Sequence, residues 1–469
     1  MFLGARPTTA VIGTGLAGLS TTLNLLEKGY NVVLIEKTDK IGGNSIKASS
    51  GINGVLTKFQ PPGDSFGSFI SDTIDSGKGL CNTELVSTLA ENSKVAVEKL
   101  TDKYGIDLSK VTQLGGHSHA RTHRGGGKLP PGFAIISSLQ KQLELPEYNN
   151  RLTIIKNARF DKFIVENKAV VGLEYLLQLE DNARKQLLVD NIVLATGGYS
   201  ADFDPSGLLL KNRPDVKHLA STNGIQTTGD GQKIALRDLD AKLIHLDKVQ
   251  IHPTGFINRK NVNDKWKFLC GELLRGIGGI LVNPNTGTRF VNELSTRDVV
   301  TDAIFKNCKI SQGNKLDLEE DTAVSVILIN EQDYSKADSH IDFYKSQGLL
   351  NLGNYGDVFK LVQELNPVFN IPKEEYGKLF NNYNEDFNMN KQVYYGLITP
   401  VLHFTMGGIQ IDVNGNVINK LDQIIPNVYA VGEVSGGVHG ANRLGGSSLL
   451  ECVVFGQVVA NSIINSSKA

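Results

Sequence analysis

The sequence predicts an α/β fold in which a parallel sheet, built from wound βαβ units, is interrupted by a long inserted α+β segment. Three observations predict it. The chain opens with a strand, a glycine turn, a helix and a second strand. Two more apolar strand patterns, near residues 191 and 427, each run into glycines, and the first returns the chain to the same sheet. Between Asp247 and His403 the pattern changes to long polar helices, which marks an insertion.

Thr9 to Ile12 is a short strand ending in Gly13-Thr14-Gly15-Leu16-Ala17-Gly18, and an amphipathic helix from Leu19 to Lys28 stops at Gly29. The second strand, Asn31 to Ile35, closes on Glu36. Gly13 permits the tight turn, Gly15 lets backbone approach a pyrophosphate, and Gly18 lets helix pack on strand. The helix N-terminus favours the phosphate, and Glu36 is expected to bind ribose hydroxyls. FAD and NAD both use such a unit. A second glycine-rich stretch, Lys40 to Ser45 followed by Ala48 to Gly54, suits a longer cofactor whose isoalloxazine lies away from the first turn, although these glycines read equally well as ordinary turns.

Ser71 to Tyr104 reads as helical, with Leu85, Leu89, Val95, Val97 and Leu100 at helical spacing. The basic loop from His117 to Lys128 lacks the spacing of a Walker loop. It reads as a solvated surface loop or as a lining of the site entrance. Arg151 to Val189, Thr153 to Ile155 included, suggests a small antiparallel sheet. Asn191 to Leu194 is a buried strand leading to Thr196-Gly197-Gly198, and a helix through Gln232 to Leu236 follows Gly229-Asp230-Gly231. In the insertion, Lys345 to Leu365 and Glu374 to Phe387 are expected as long helices. The last strand carries Glu433 at its tip. A final helix buries Leu449, Leu450, Val453, Val454, Val458 and Val459, with its N-terminus aimed to stabilise charge on a reduced ring.

A chain of 469 residues supports two or three domains, and a net charge of −1 gives no reason to expect nucleic acid as a partner. Cys81, Cys270, Cys308 and Cys452 are scattered without a C-x-x-C pair, against a disulfide framework, a metal or cluster site, or attached haem. No apolar run is read as long enough to cross a bilayer, and no secretory h-region is read at the N-terminus. The cytosol is the expected compartment. The tail Ser467-Lys468-Ala469 only weakly echoes a peroxisomal signal.

The stretch with the densest chemistry runs from Gln250 to Asp298 and holds His252, Thr254, Glu272, Arg275 and Arg297 among turn glycines. Fixed cationic donors of this kind suit a small dicarboxylate and the charge that develops on it. Each residue also has a plain reading. Arg297 could be a salt-bridge anchor, Glu272 and Arg275 a helix-face pair, His252 a strand cap and His403 a core histidine. Together with a full nucleotide fingerprint, those plain readings do not hold jointly.

Gly42-Gly43-Asn44-Ser45, the His252, Arg275 and Arg297 segments, His403 and Gly440 to Gly446 resemble the soluble, FAD-dependent fumarate reductases of fungi over nearly the whole chain. They also resemble the flavoprotein subunits of bacterial fumarate reductase and succinate dehydrogenase. The resemblance implies a Rossmann-like FAD domain of the glutathione-reductase type in residues 1–246 and 404–469, with a mobile capping domain in 247–403. It implies Arg297 as proton donor to the substrate carbon and Glu272 with Arg275 as the relay behind it. Substrate is then held by His252, His403, Arg443 and Thr254. FAD is expected against Gly13, Gly15, Leu16, Ala17, Gly18, Glu36, Lys37, Gly42, Gly43, Asn44, Ser45, Ser49, Ser50, Gly51, Ile52 and Asn53. Further contacts are expected from Thr196, Gly197, Gly198, Asp230, Glu433, Arg443, Ser448 and Leu449. Asn44 stands where membrane-bound relatives carry a flavin-linking histidine, so FAD is expected to be non-covalent. Gly271 replaces a residue that is often Thr, which removes one substrate contact.

Hydride from flavin N5 to one alkene carbon of fumarate leaves carbanion character on the other. Arginine, with a pKa above about 12, is normally too weak an acid, but a carbanion beside a carboxylate is a stronger base still. Electrons are expected from outside, the resemblance implying free reduced flavins, to a monomer that maintains redox balance without oxygen. The alternatives are an aspartate oxidase or a urocanate-type enoate reductase. A ketosteroid dehydrogenase needs an apolar, tyrosine-lined pocket, and a non-catalytic flavin carrier has no use for a proton relay.

Overall fold

The computed structural model describes residues 6–127, 129–310, 313–319, 322–372, 375–376 and 389–467. A six-stranded sheet runs in the order Asn416–Ile418, Ile424–Ala430, Asn191–Leu194, Thr8–Ile12, Asn31–Ile35, Leu152–Ile155. Its pairings are parallel except the first, which is antiparallel. Thr8–Ile12 sits inside, and Ala10 and Val11 are fully buried, as a parallel strand covered on both faces requires. The helices Leu16–Glu27 and Ser447–Ser466 pack against each other at Gly456, where an added Cβ would lie 2.8 Å from Ser20 Oγ.

Several expected elements need correction. Leu152–Ile155 completes the main sheet as the partner of Asn31–Ile35, and the small antiparallel sheet is Ala158–Glu166, Ala169–Leu177 and Ala183–Leu188. The first helix starts at Leu16, three residues early, directly after extended Gly15. The helical stretch from Ser71 divides into Phe66–Ser76, Thr83–Glu91 and Ser93–Glu98. Lys78 and Gly79, both at positive φ, break it, and Asn82 caps the restart through Glu84 N and Leu85 N. The helix expected over Gln232 to Leu236 spans Asp230–Leu239.

The basic segment is not a surface loop. Thr122–Arg124 is a strand paired with Ile52–Asn53 and Lys110–Thr112, and Arg121 and His123 are fully buried. Two carboxylates, Asp64 at 2.8 Å and Asp72 at 2.6 Å, pair with the Arg121 guanidinium, so its charge is internal to the fold. Lys128 lies outside the described residues.

The inserted segment is organised by a second, antiparallel sheet. The 14-residue strand Gln392–Thr405 pairs with Val249–Phe256, Ser325–Asn330 and Asn351–Asn354, and Ile280–Val282 extends the sheet. Lys345 to Leu365 is therefore not one helix. Asp338–Ser346 ends before the strand Asn351–Asn354, and Tyr355–Leu365 begins at a capping box between Asn354 and Asp357. The helix expected over Glu374 to Phe387 lies almost wholly outside the described residues.

Ser447–Ser466 corrects one further reading. Its 20 residues include an 18-residue stretch of mean hydropathy 1.5, long and apolar enough by composition to cross a membrane. Here 72% of that stretch is buried inside the fold, as a core helix.

Candidate active site

Backbone geometry explains the glycines of the first turn. Gly13 has φ +105°, and a Cβ there would lie 2.3 Å from Ala195 O, just past the end of the neighbouring strand Asn191–Leu194. A Cβ on Gly18 would lie 1.9 Å from Gly13 O, so helix and turn meet only because Gly18 lacks a side chain. Gly15 leads into the helix without a side-chain cap, and Leu16 N is met by Ser45 Oγ at 3.1 Å. The Glu36 carboxylate is oriented by Thr14 N at 3.1 Å and Thr38 N at 2.8 Å. An uncapped helix start beside two side-chain-free backbone positions fits a pyrophosphate.

One continuous cavity joins this turn to Arg297, His403 and Arg443, with His252, Thr254, Glu272 and Arg275 behind its wall. Its wall includes Gly13, Gly15, Leu16, Ala17, Glu36, Lys37, Gly43, Asn44, Ser45, Ser49, Ser50, Gly51, Thr196, Gly197, Asp230, Glu433, Ser448 and Leu449. The same wall carries Arg297, His403 and Arg443. An elongated dinucleotide with a ring system at its far end fits that shape. Gly18, Gly42, Ile52, Asn53 and Gly198, expected as contacts, stand behind the wall. Asn53 Nδ2 holds Gly445 O at 2.8 Å and Ser447 Oγ at 2.9 Å, fixing the start of the last helix. The sequence reading missed Lys47, Phe160, Thr222, Asn223, Leu269 and Phe404, which belong to no glycine motif but also line the cavity.

Polar side chains along the wall are held in place. Asn44 Nδ2 donates to Asn223 Oδ1 at 2.5 Å and Thr227 Oγ1 at 2.8 Å, and its Oδ1 accepts from Gly224 N at 2.9 Å. Lys37 gives its three hydrogens to Asp230, Gln226 O and Thr228 Oγ1. Burial pushes the Glu433 carboxyl up to about 7, against the pull of the Thr405 N–H it accepts from.

At the other end Arg297, Glu272 and Arg275 form a buried ionic chain. Arg297 opens the helix Arg297–Asn307, and its Nε and Nη2 each lie 2.7 Å from Glu272 Oε2. Arg297 Nη1 donates to Gln250 Oε1 at 2.7 Å. Glu272 Oε1 accepts from Gly115 N at 2.9 Å and lies 3.9 Å from Arg275 Nη2. Arg275 gives Nη1 to Glu293 O at 2.6 Å, while its Nε and Nη2 have no hydrogen-bond partner. Burial would raise the Glu272 carboxyl, but the Arg297 and Arg275 guanidiniums outweigh it and hold it at about 2. This is no solvated helix-face pair.

The imidazole rings of His252 and His403 lie 5.1 Å apart on adjacent strands. His252 Nδ1 accepts from Thr254 N at 3.2 Å, so its hydrogen sits on Nε2, which is buried without a partner. His403 Nδ1 meets Thr222 Oγ1 at 2.8 Å. Burial, reinforced by Arg297, pushes both imidazoles well below their usual pKa and keeps them neutral. Arg443 stacks 4.3 Å above the Phe404 ring with its Nε unpartnered, and burial lowers its pKa to about 9. Thr254, expected at the substrate, instead gives its hydroxyl to Cys270 O at 2.8 Å and positions His252. Three guanidiniums thus meet one ionised carboxylate, and the excess positive charge with its unpartnered donors suits a small dianion.

The fold and cavity define a flavin-binding class. The family model of the FAD binding domain matches residues 8–449, and the chain belongs to this FAD-binding family, within its fumarate reductase group. Fumarate reductase 1 of Saccharomyces cerevisiae is 44% identical, covering 98% of both chains. The fumarate reductase of Schizosaccharomyces pombe is 36% identical over 96% of this chain and 87% of its own. The open conformation of a flavocytochrome c3 fumarate reductase superposes with a TM-score of 0.77 at 28% identity, over 99% of this chain and 79% of that one.

Proposed function

We propose that this chain reduces fumarate to succinate, with Arg297 as the proton donor. The observation that carries the reading is the Arg297–Glu272–Arg275 chain reaching the cavity wall where His403 and Arg443 stand. Bound FAD supplies the hydride. His403 and Arg443, with the Nε2–H of His252 behind them, hold the two carboxylates and stabilise charge as it grows on one of them. Arg297 gives its proton to the carbon beside that carboxylate. Glu272, ionised and in contact with two Arg297 nitrogens, accepts a proton from Arg275 and returns it to Arg297. Gln250 fixes the guanidinium so that its remaining donors face the cavity.

Around this chemistry we place FAD non-covalently, since the Asn44 amide is engaged by protein on both ends. Residues 1–246 and 404–469 form its domain and 247–403 the capping domain. The donor is an external reductant such as a free reduced flavin, and the chain works as a monomer in the cytosol.

The test is anaerobic: reduce the flavin with dithionite, add fumarate, and follow reoxidation and succinate. Reoxidation by fumarate supports the reading. Inertness toward fumarate, with peroxide formed from aspartate and oxygen, would replace it with an oxidase.

A further inference from the structure

We propose that the Ser49 hydroxyl is a substrate-binding group that donates a hydrogen bond to a carboxylate of the dicarboxylate held at Arg297, His403 and Arg443. The proposal rests on the fumarate reading and adds one residue to that site.

Ser49 lines the shared cavity and is only 8% exposed, yet its Oγ has no partner in hydrogen-bonding geometry. A buried hydroxyl left unpaired is unfavourable, so one on a cavity wall marks where an acceptor belongs. Its position is fixed from the inserted segment: His340 Nε2 donates to Ser49 O at 2.7 Å. A Cβ added to Gly271 would lie 2.6 Å from Ser49 Oγ and 3.3 Å from the Tyr344 hydroxyl. The serine therefore fills the space that a side chain at 271 would take, one residue before the relay carboxylate of Glu272.

The neighbours also bear on where the hydrogen goes. Tyr344 Oη accepts from Gly271 N at 3.2 Å, and burial pushes its pKa far up, so the phenol keeps its own hydrogen. The Tyr344 hydroxyl is also the polar neighbour of Ser49, so a bound carboxylate, the stronger acceptor, competes with a neutral phenol for the serine hydrogen. Thr254, the other hydroxyl near this end, is committed to Cys270 O. A hydroxyl on the wall that also carries Arg297 and Arg443 complements an anion held there, and the competing acceptor is the cofactor itself.

The experiment uses the full FAD-loaded chain. In Ser49→Ala the KM for fumarate and the Kd for malonate, read from the perturbed flavin spectrum, both rise about tenfold. FAD content is read in parallel from the flavin absorbance of the purified variant. Gly271→Ser alone crowds Ser49 and weakens malonate binding. Ser49→Gly combined with Gly271→Ser returns a hydroxyl to the same gap from the opposite side and restores the malonate Kd to within about threefold. The proposal is overturned if Ser49→Ala leaves malonate Kd within twofold of wild type, and equally if it lowers FAD occupancy instead, which assigns the hydroxyl to the cofactor. Failure of the fumarate reading would appear as no turnover in the wild-type protein, while the malonate titration, needing no turnover, still decides Ser49.

Discussion

At Glu272 two opposed effects meet, and the ionic one wins: a carboxylate 1% exposed stays ionised because two guanidiniums flank it. Its folded pKa, about 2, lies below the ordinary 4.5, so the ionised group stabilises the protein above about pH 4.5. That contribution is lost as pH falls from there toward 2, and Glu272→Gln removes it from an acid-unfolding curve. The same substitution should lower turnover about 10²–10³-fold with fumarate KM nearly unchanged, because it breaks proton return and not binding. The buried imidazoles make a second prediction. With burial and Arg297 holding both down, nitrogen NMR of the substrate-free protein should find His252 and His403 neutral throughout pH 6 to 8. Protonation of either near pH 6.5 would contradict the assignment of His252 Nε2–H as a neutral donor. These residues were legible because each sits in a short motif dense in chemistry. Gly115 was not, since a backbone N–H serving a carboxylate 157 residues away leaves no local trace.

Among the elements, the turn–helix junction is closely packed. Gly18→Ala places a methyl against Gly13 O, at a cost of about 1–3 kcal/mol. It should lower FAD retention, measured after gel filtration, and Tm together; full retention would mean that the helix can move away. The strand after Arg121 offers a stability test remote from the chemistry. Arg121→Met leaves Asp64 and Asp72 without their cation and should cost about 3–5 kcal/mol in urea unfolding. Periodicity identified the βαβ unit well because buried parallel strands and glycine turns are local signals. It failed at Arg121 to Arg124, where charge suggested solvent but two carboxylates distant in sequence neutralise the arginine. Lys345 to Leu365 failed for a related reason. The strand Asn351–Asn354 is polar and half-exposed, and only its pairing with Gln392–Thr405 makes it a strand.

In the molecule as a whole, one cavity brings together the glycine turn beside the main sheet and the proposed proton donor, Arg297, from the inserted segment. The chain around the main sheet contributes the glycine turn, Glu433 and Arg443; the inserted segment contributes Arg297 and His403, with Glu272 and Arg275 behind Arg297. The sequence showed both halves, but not the hydrogen bonds that join them, such as Gln250 Nε2 to Arg443 O at 2.7 Å. Through Gln250 those joints hold Arg297 in register with Arg443. The most direct test is single-turnover reoxidation of dithionite-reduced protein by fumarate, comparing wild type with Arg297→Ala and Arg297→Lys. Loss of about 10³-fold or more in Arg297→Ala, with FAD and malonate still bound and partial recovery in Arg297→Lys, is the expected result. A rate for Arg297→Ala within tenfold of wild type would contradict the assignment of Arg297 as the proton donor.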